Sequence, residues 1–254
     1  MDIKFLFPAL MSIAVQSLPS VAHASSSLHF FETGQSLTQD EKSITVINRL
    51  TKRPVSNPEG GASFPDYGTE VRYGFAIGDE QEVRLDGEAF RFPDSGFSGQ
   101  FQLGVAYKRQ WVKTPRLAFS TFAHFGVLKY SGIKASSLGT VKLPFTIYLK
   151  RSLISFAPKI HYPVGSDRTW MYGFELIGKV KLYSSLGWVY ESFWNSGSLY
   201  NSAGRLIDQR GWGYLGGISW AFNENLWSHL ILVARSPLQG FGYGFYGLSM
   251  HYNF

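Results

Sequence analysis

The chain has no cysteine among its 254 residues. That excludes a disulfide framework and any thiolate-bound metal. It also lacks a run of 18 uninterrupted apolar residues after its N-terminus, which excludes a helical inner-membrane bundle. Walker loops, a Gly-x-Ser-x-Gly elbow and a His-Glu-x-x-His pair are absent, so no cofactor or metal is expected. Charged residues make up only 17% of the chain, and the net charge of +6 is dispersed without an aromatic-basic motif. Nucleic acid is therefore not an expected partner.

Aromatic residues, by contrast, are plentiful: 14 Tyr, 21 Phe and 7 Trp exceed what a small soluble core needs. The N-terminal segment 1–24 reads as a secretory signal peptide. Lys4 supplies a basic start, Phe5 to Val15 an apolar run broken by Pro8 and Ser12, and Ala22-His23-Ala24 a small-x-small cleavage site. About eleven apolar residues are too few to anchor the chain as a helix. Cleavage after Ala24 would leave 230 residues (254 minus 24) beginning at Ser25.

Residues 25–42 are polar and irregular apart from Leu28-His29-Phe30-Phe31, and are expected to form a periplasmic lead-in or a short plug. Residues 43–254 are expected to form one domain. They contain twelve runs of period-two alternation, at 43–52, 68–77, 81–92, 99–110, 116–129, 139–150, 152–162, 169–178, 181–193, 212–223, 226–235 and 243–254. Connections alternate between short (78–80, 111–115, Arg151, 178–180, 223–225) and longer, with 53–67 and 194–211 the longest. That rhythm belongs to a transmembrane antiparallel up-and-down β-barrel. Ten strands is the alternative if the chain does not turn around Gly178.

From Tyr246 to Phe254 every second residue is apolar or aromatic, and the chain ends on that Phe. A soluble sheet would expose this greasy edge to water and aggregate; lipid removes the objection. The stretch resembles the closing strand of bacterial outer-membrane β-barrels, and the overall pattern looks like the small substrate-selective channels of that membrane. The resemblance implies a bacterial outer-membrane location and contact with its lipid. It also implies periplasmic chaperones and a barrel assembly machinery that reads Tyr252 and Phe254 as its signal. A monomer is expected.

Alternation assigns the faces. Val71, Tyr73, Phe75 and Ile77, then Phe101, Leu103, Val105 and Tyr107, are expected to face lipid. Charges on that face would cost about 2–4 kcal/mol each at the midplane for Arg or Lys. The lumen should therefore be lined by Arg49, Glu70, Arg72, Glu82, Arg84, Asp86, Glu88, Lys108, His124, Lys142, Lys150, Lys159, His161, Glu175 and Glu191. The run 226–235 is equally apolar in both registers. Acidic residues crowd the third run, and lysines the fourth, sixth and seventh. A basic wall of this kind favours small polar or anionic solutes in passive diffusion; the alternative is a salt-bridged lumen that conducts nothing and serves a structural or adhesive role.

A third reading is enzymatic. Some twelve-stranded outer-membrane barrels are lipid hydrolases that use a His and a Ser two residues apart on one strand face. The nearest match, Ser249-Met250-His251, has the reverse order and is expected to face the lumen. Ser120 and His124 share a face but lie about 13 Å apart at 3.3 Å per residue. No catalytic residue is assigned, and the chain is expected not to be an enzyme.

Overall fold

Side chains that alternate in polarity can satisfy lipid outside and charge inside only if the sheet has no edge, because unpaired backbone groups cannot be left in hydrocarbon. The computed structural model meets that demand. It describes residues 33–52, 66–91, 100–130, 136–164, 170–196, 198–200, 206–208, 211–235 and 244–254. Residues 1–24, expected from the sequence to be a signal peptide cleaved at Ala22-His23-Ala24, lie outside the described residues, as does most of the 53–67 connection.

Fifteen strands are described: β1 (Lys42–Lys52), β2 (Asp66–Gly78), β3 (Gln81–Arg91), β4 (Gln100–Lys113), β5 (Leu117–Tyr130), β6 (Ser136–Lys142), β7 (Phe145–Tyr148), β8 (Ser152–Val164), β9 (Met171–Lys181), β10 (Leu186–Asn195), β11 (Ser198–Tyr200), β12 (Leu206–Asp208), β13 (Gly211–Ala221), β14 (Leu226–Arg235) and β15 (Gly244–Asn253). Strands β11 and β12 pair as a separate ribbon within the long 194–211 connection. The other thirteen form one closed antiparallel sheet.

This sheet makes twelve crossings, because β6 and β7 are two pieces of one. Both pair with β5 and β8, with Leu143 and Pro144 between them. Proline cannot donate to the ladder. Around the gap, the Ser120 N–H donates to the Pro144 carbonyl and the Leu143 N–H to the Pro158 carbonyl, both at 3.0 Å. The barrel closes where β1 meets β15, from Ser43 opposite Asn253 to Lys52 opposite Gly244. Beyond that ladder, Lys42 and Phe254 exchange both backbone hydrogen bonds at 2.9 Å.

Twelve crossings match the strand count expected from alternation, with two boundary corrections. Gly178 does not turn: it lies inside β9, and the chain reverses at 182–185, where Leu182 and Tyr183 donate to the Leu186 carbonyl. Strand β4 runs on to Lys113 through a bulge between Gln110 and Val112. A bulge breaks strict alternation, so the period-two pattern stops at Gln110 while the strand continues.

The outside is apolar. Val105, Leu103, Val141, Ile147, Ile160, Leu248 and Met250 all point away from the barrel and are exposed. In β14 the ambiguity resolves with Trp227, His229 and Ile231 inward and Leu230 outward. The choice follows from polarity, since the opposite register would put His229 into lipid. Short connections cluster at the end carrying both chain termini (the turn end), and the longer ones at the opposite, loop end. In outer-membrane barrels short turns are periplasmic.

Candidate functional site: the charged lumen

The inward face of nearly every strand carries an ionisable group. Glu70 and Arg72 project from β2, Glu82, Arg84, Asp86 and Glu88 from β3, and Lys108 from β4. His124 follows on β5, Lys142 on β6, Lys159 and His161 on β8, Glu175 on β9 and Glu191 on β10. Lys150 is a correction. Strand β7 ends at Tyr148, and Lys150 sits exposed in the turn where Leu149 and Ser152 bond each other's backbone. The side chain of Arg49 lies outside the described residues. Lys179, which sequence reasoning placed in a turn, lies on the inward face of β9, opposite Leu153 and Val189.

The register creates a problem that Glu175 solves. Lys142 and Lys159 stand directly opposite each other on β6 and β8, and like charges in that position repel. The Glu175 carboxylate reaches both: Lys142 Nζ donates to Oε2 at 3.0 Å and Lys159 Nζ to Oε1 at 3.1 Å. The ring of Phe122 lies below two cations, with Arg84 at 4.9 Å and Lys142 at 5.6 Å from its centroid. Lys159 lies 5.4 Å from the centroid of Phe193. Such contacts stabilise cations in low dielectric.

Further pairs extend the network. On β2 the Arg72 Nε donates to Glu70 Oε1, two residues away on the same face. His124 Nε2 sits 3.1 Å from Asp86 Oδ1, spanning from β5 to β3 across β4. The residue crossed is Gly104, and a Cβ there would run into both partners. The small residue is what lets this pair form. His161 Nδ1 is 2.8 Å from Thr140 Oγ1.

Two features of the lumen were not legible from charge counting. One is an apolar cluster of Leu153, Ile177, Val189, Leu215 and Ile231 on β8, β9, β10, β13 and β14, with Tyr148 and Phe193 packed against it. These inward aliphatics alternate with outward apolar residues such as Ile154 and Trp188, so period two alone does not distinguish lumen from lipid here. The other is a buried polar group. Ser249 Oγ lies 3.0 Å from His251 Nε2, Thr45 Oγ1 lies 3.0 Å from His251 Nδ1, and Trp227 stacks on the imidazole. Ser249 and His251 therefore do meet. They face the lumen and are almost wholly buried, at 0% and 2% exposure.

The segment preceding β1 enters the lumen at the turn end. The Leu37 N–H donates to Glu82 Oε2 at 3.2 Å, the Ser36 N–H to Gln110 Oε1 at 3.0 Å and the Gly34 N–H to Thr146 Oγ1 at 2.7 Å. Tyr148 donates its phenol to Gln35 Oε1 at 2.9 Å. Thr33, Ser36 and Leu37 are buried.

A closed antiparallel barrel with an apolar exterior and a charged interior is an integral β-barrel of the bacterial outer-membrane type. No family model matches the sequence, and no curated protein matches it. Solved structures do. A KdgM porin in complex with disordered oligogalacturonate is similar with a TM-score of 0.56 and 9% identity, covering 84% of this chain and 99% of that one. An outer membrane channel from Pseudomonas putida F1 is similar with a TM-score of 0.59 and 10% identity, covering 87% and 97%. The Salmonella typhi outer membrane phospholipase dimer with bound calcium is similar at 0.50 and 10%, covering 83% and 90%. At these identities the likeness is one of fold.

Proposed function

We infer that the protein is an outer-membrane channel for passive diffusion of small polar or anionic solutes. The observation that carries this reading is the convergence of Lys142 and Lys159 on one carboxylate, Glu175, inside the barrel. Two lysines meeting on one carboxylate put more positive than negative charge at that level of the wall, and a wall biased to one sign of charge sets ion selectivity in a pore. Two neighbours of the same fold are a porin and a channel, which supports the role without naming the solute.

A second reading has its own support. Lys108, Glu175 and Glu191 are at most 2% exposed, and the apolar cluster fills part of the lumen, as in a non-conducting salt-bridged barrel. The hydrolase reading needs a Ser–His pair open to lipid, and Ser249 and His251 face the opposite way.

Planar-bilayer recordings across a salt gradient separate the two. The channel reading expects discrete steps with anion preference, and a weaker preference in Lys142→Gln, where Glu175 keeps Lys159 as partner. Cation preference in the unmodified protein overturns the anionic assignment, and a folded barrel that stays silent overturns the channel.

A further inference from the structure

We propose that residues 33–37 form a releasable inner strap that narrows the turn-end mouth, and that its release widens the passage; this rests on the channel reading above. The strap runs around the inside of the wall, almost one residue per strand. Leu37 meets β3, Ser36 meets β4, and Gly34 reaches the wall of β5 and β7. Its course is perpendicular to the strands, so it adds no rung to the closed ladder. The barrel's own hydrogen bonding is complete without it.

The strap's attachments suit release. Three are backbone N–H groups donating to the side chains of Glu82, Gln110 and Thr146, and the fourth is the Tyr148 phenol on Gln35. Glu82, Gln110 and Thr146 are buried beneath the strap, so its release exposes them together, and water can then take over each of these hydrogen bonds. By contrast, β1 is held to β15 along ten register positions. A pivot lies between the strap and β1. The Glu41 N–H donates to the Thr38 carbonyl, the Thr38 N–H donates to Glu41 Oε2, and Asp40 sits at φ 65 in the left-handed region. The turn sets the strap apart from β1, so that the strap can leave the wall without breaking any β1 pairing.

Seating also depends on Gly34. A Cβ there would run into the Ala118 carbonyl oxygen and come within 3.1 Å of the Pro144 oxygen. The strap thus docks at the point where the β6–β7 crossing is interrupted. A larger side chain at position 34 should prevent docking while every wall residue is left unchanged.

The absence of cysteine permits a clean test. In the full mature chain, Ser36→Cys with Gln110→Cys is bridged by a short reductant-cleavable bis-methanethiosulfonate, with the bridge verified by mass. Conductance is then recorded in planar bilayers before and after reduction. The bridged state should show small or rare steps, and reduction should raise the step size or the open fraction. Gly34→Val should behave like the reduced form without any reagent. Equal conductance in bridged and reduced protein, with Gly34→Val matching wild type, overturns the strap and leaves the channel standing. Silence in every form, with a correctly folded barrel, overturns the channel reading and the strap with it.

Discussion

Glu175→Gln would remove the carboxylate charge that Lys142 and Lys159 share between β6 and β8. Breaking a buried ion pair by removing one partner costs about 3–5 kcal/mol, so the variant should unfold at clearly lower denaturant than wild type. An unchanged midpoint would mean that water reaches the lysines freely. On the other face, Val105→Arg puts a guanidinium into lipid near the middle of β4, at an expected cost of about 2–4 kcal/mol; equilibrium unfolding from vesicles would read it. Most of this inside–outside division was legible in the sequence. Glu70, Arg72, Glu82, Lys108, Lys159 and Glu175 fell on the inward face because alternation and the cost of charge in lipid agree. Lys150 did not, because a two-residue turn can end a run without any glycine or proline to mark it. The partners of each charge could not be read either: the His124–Asp86 pair exists because Gly104 lies between them on a strand that neither residue belongs to.

At the level of the element, β15 does more than complete the sheet. The backbone of Phe254 makes both of its hydrogen bonds with Lys42, so the terminal residue joins the two ends of the barrel. Its ring stacks on Tyr252 outside, with centroids 5.6 Å apart. Deleting Phe254 should lower the yield of heat-modifiable, protease-resistant barrel in cells; normal yield would show that the remaining ladder from Ser43 to Lys52 suffices. The strand count and the rhythm of connections were visible because strands of a membrane barrel share nearly one length. Two kinds of irregularity were not visible. The bulge near Val112 and the opening at Pro144 are resolved only by what the neighbouring strands offer, and a single chain read in isolation does not show its neighbours. The inner strap belongs with these: a polar stretch before the first run says that something precedes the barrel, not where it docks.

For the molecule as a whole, the site is a lumen with two characters. Strands β2 to β6 present a dense charged wall, while β8 to β14 add a cluster of aliphatic side chains to the charges they carry. Composition could not foresee that division, because lumen aliphatics and lipid aliphatics are the same residues in the sequence. Ring closure has a kinetic side as well. Ser43 pairs with Asn253, so the contact that completes the cylinder links the first wall strand to the last. Its sequence separation is nearly the full length of the domain, and pairings of that separation are the slowest to form. No partial cylinder can be sealed before β15 is in place. Until then β1 must wait with one edge unpaired, which is the period in which the polypeptide is most exposed to aggregation.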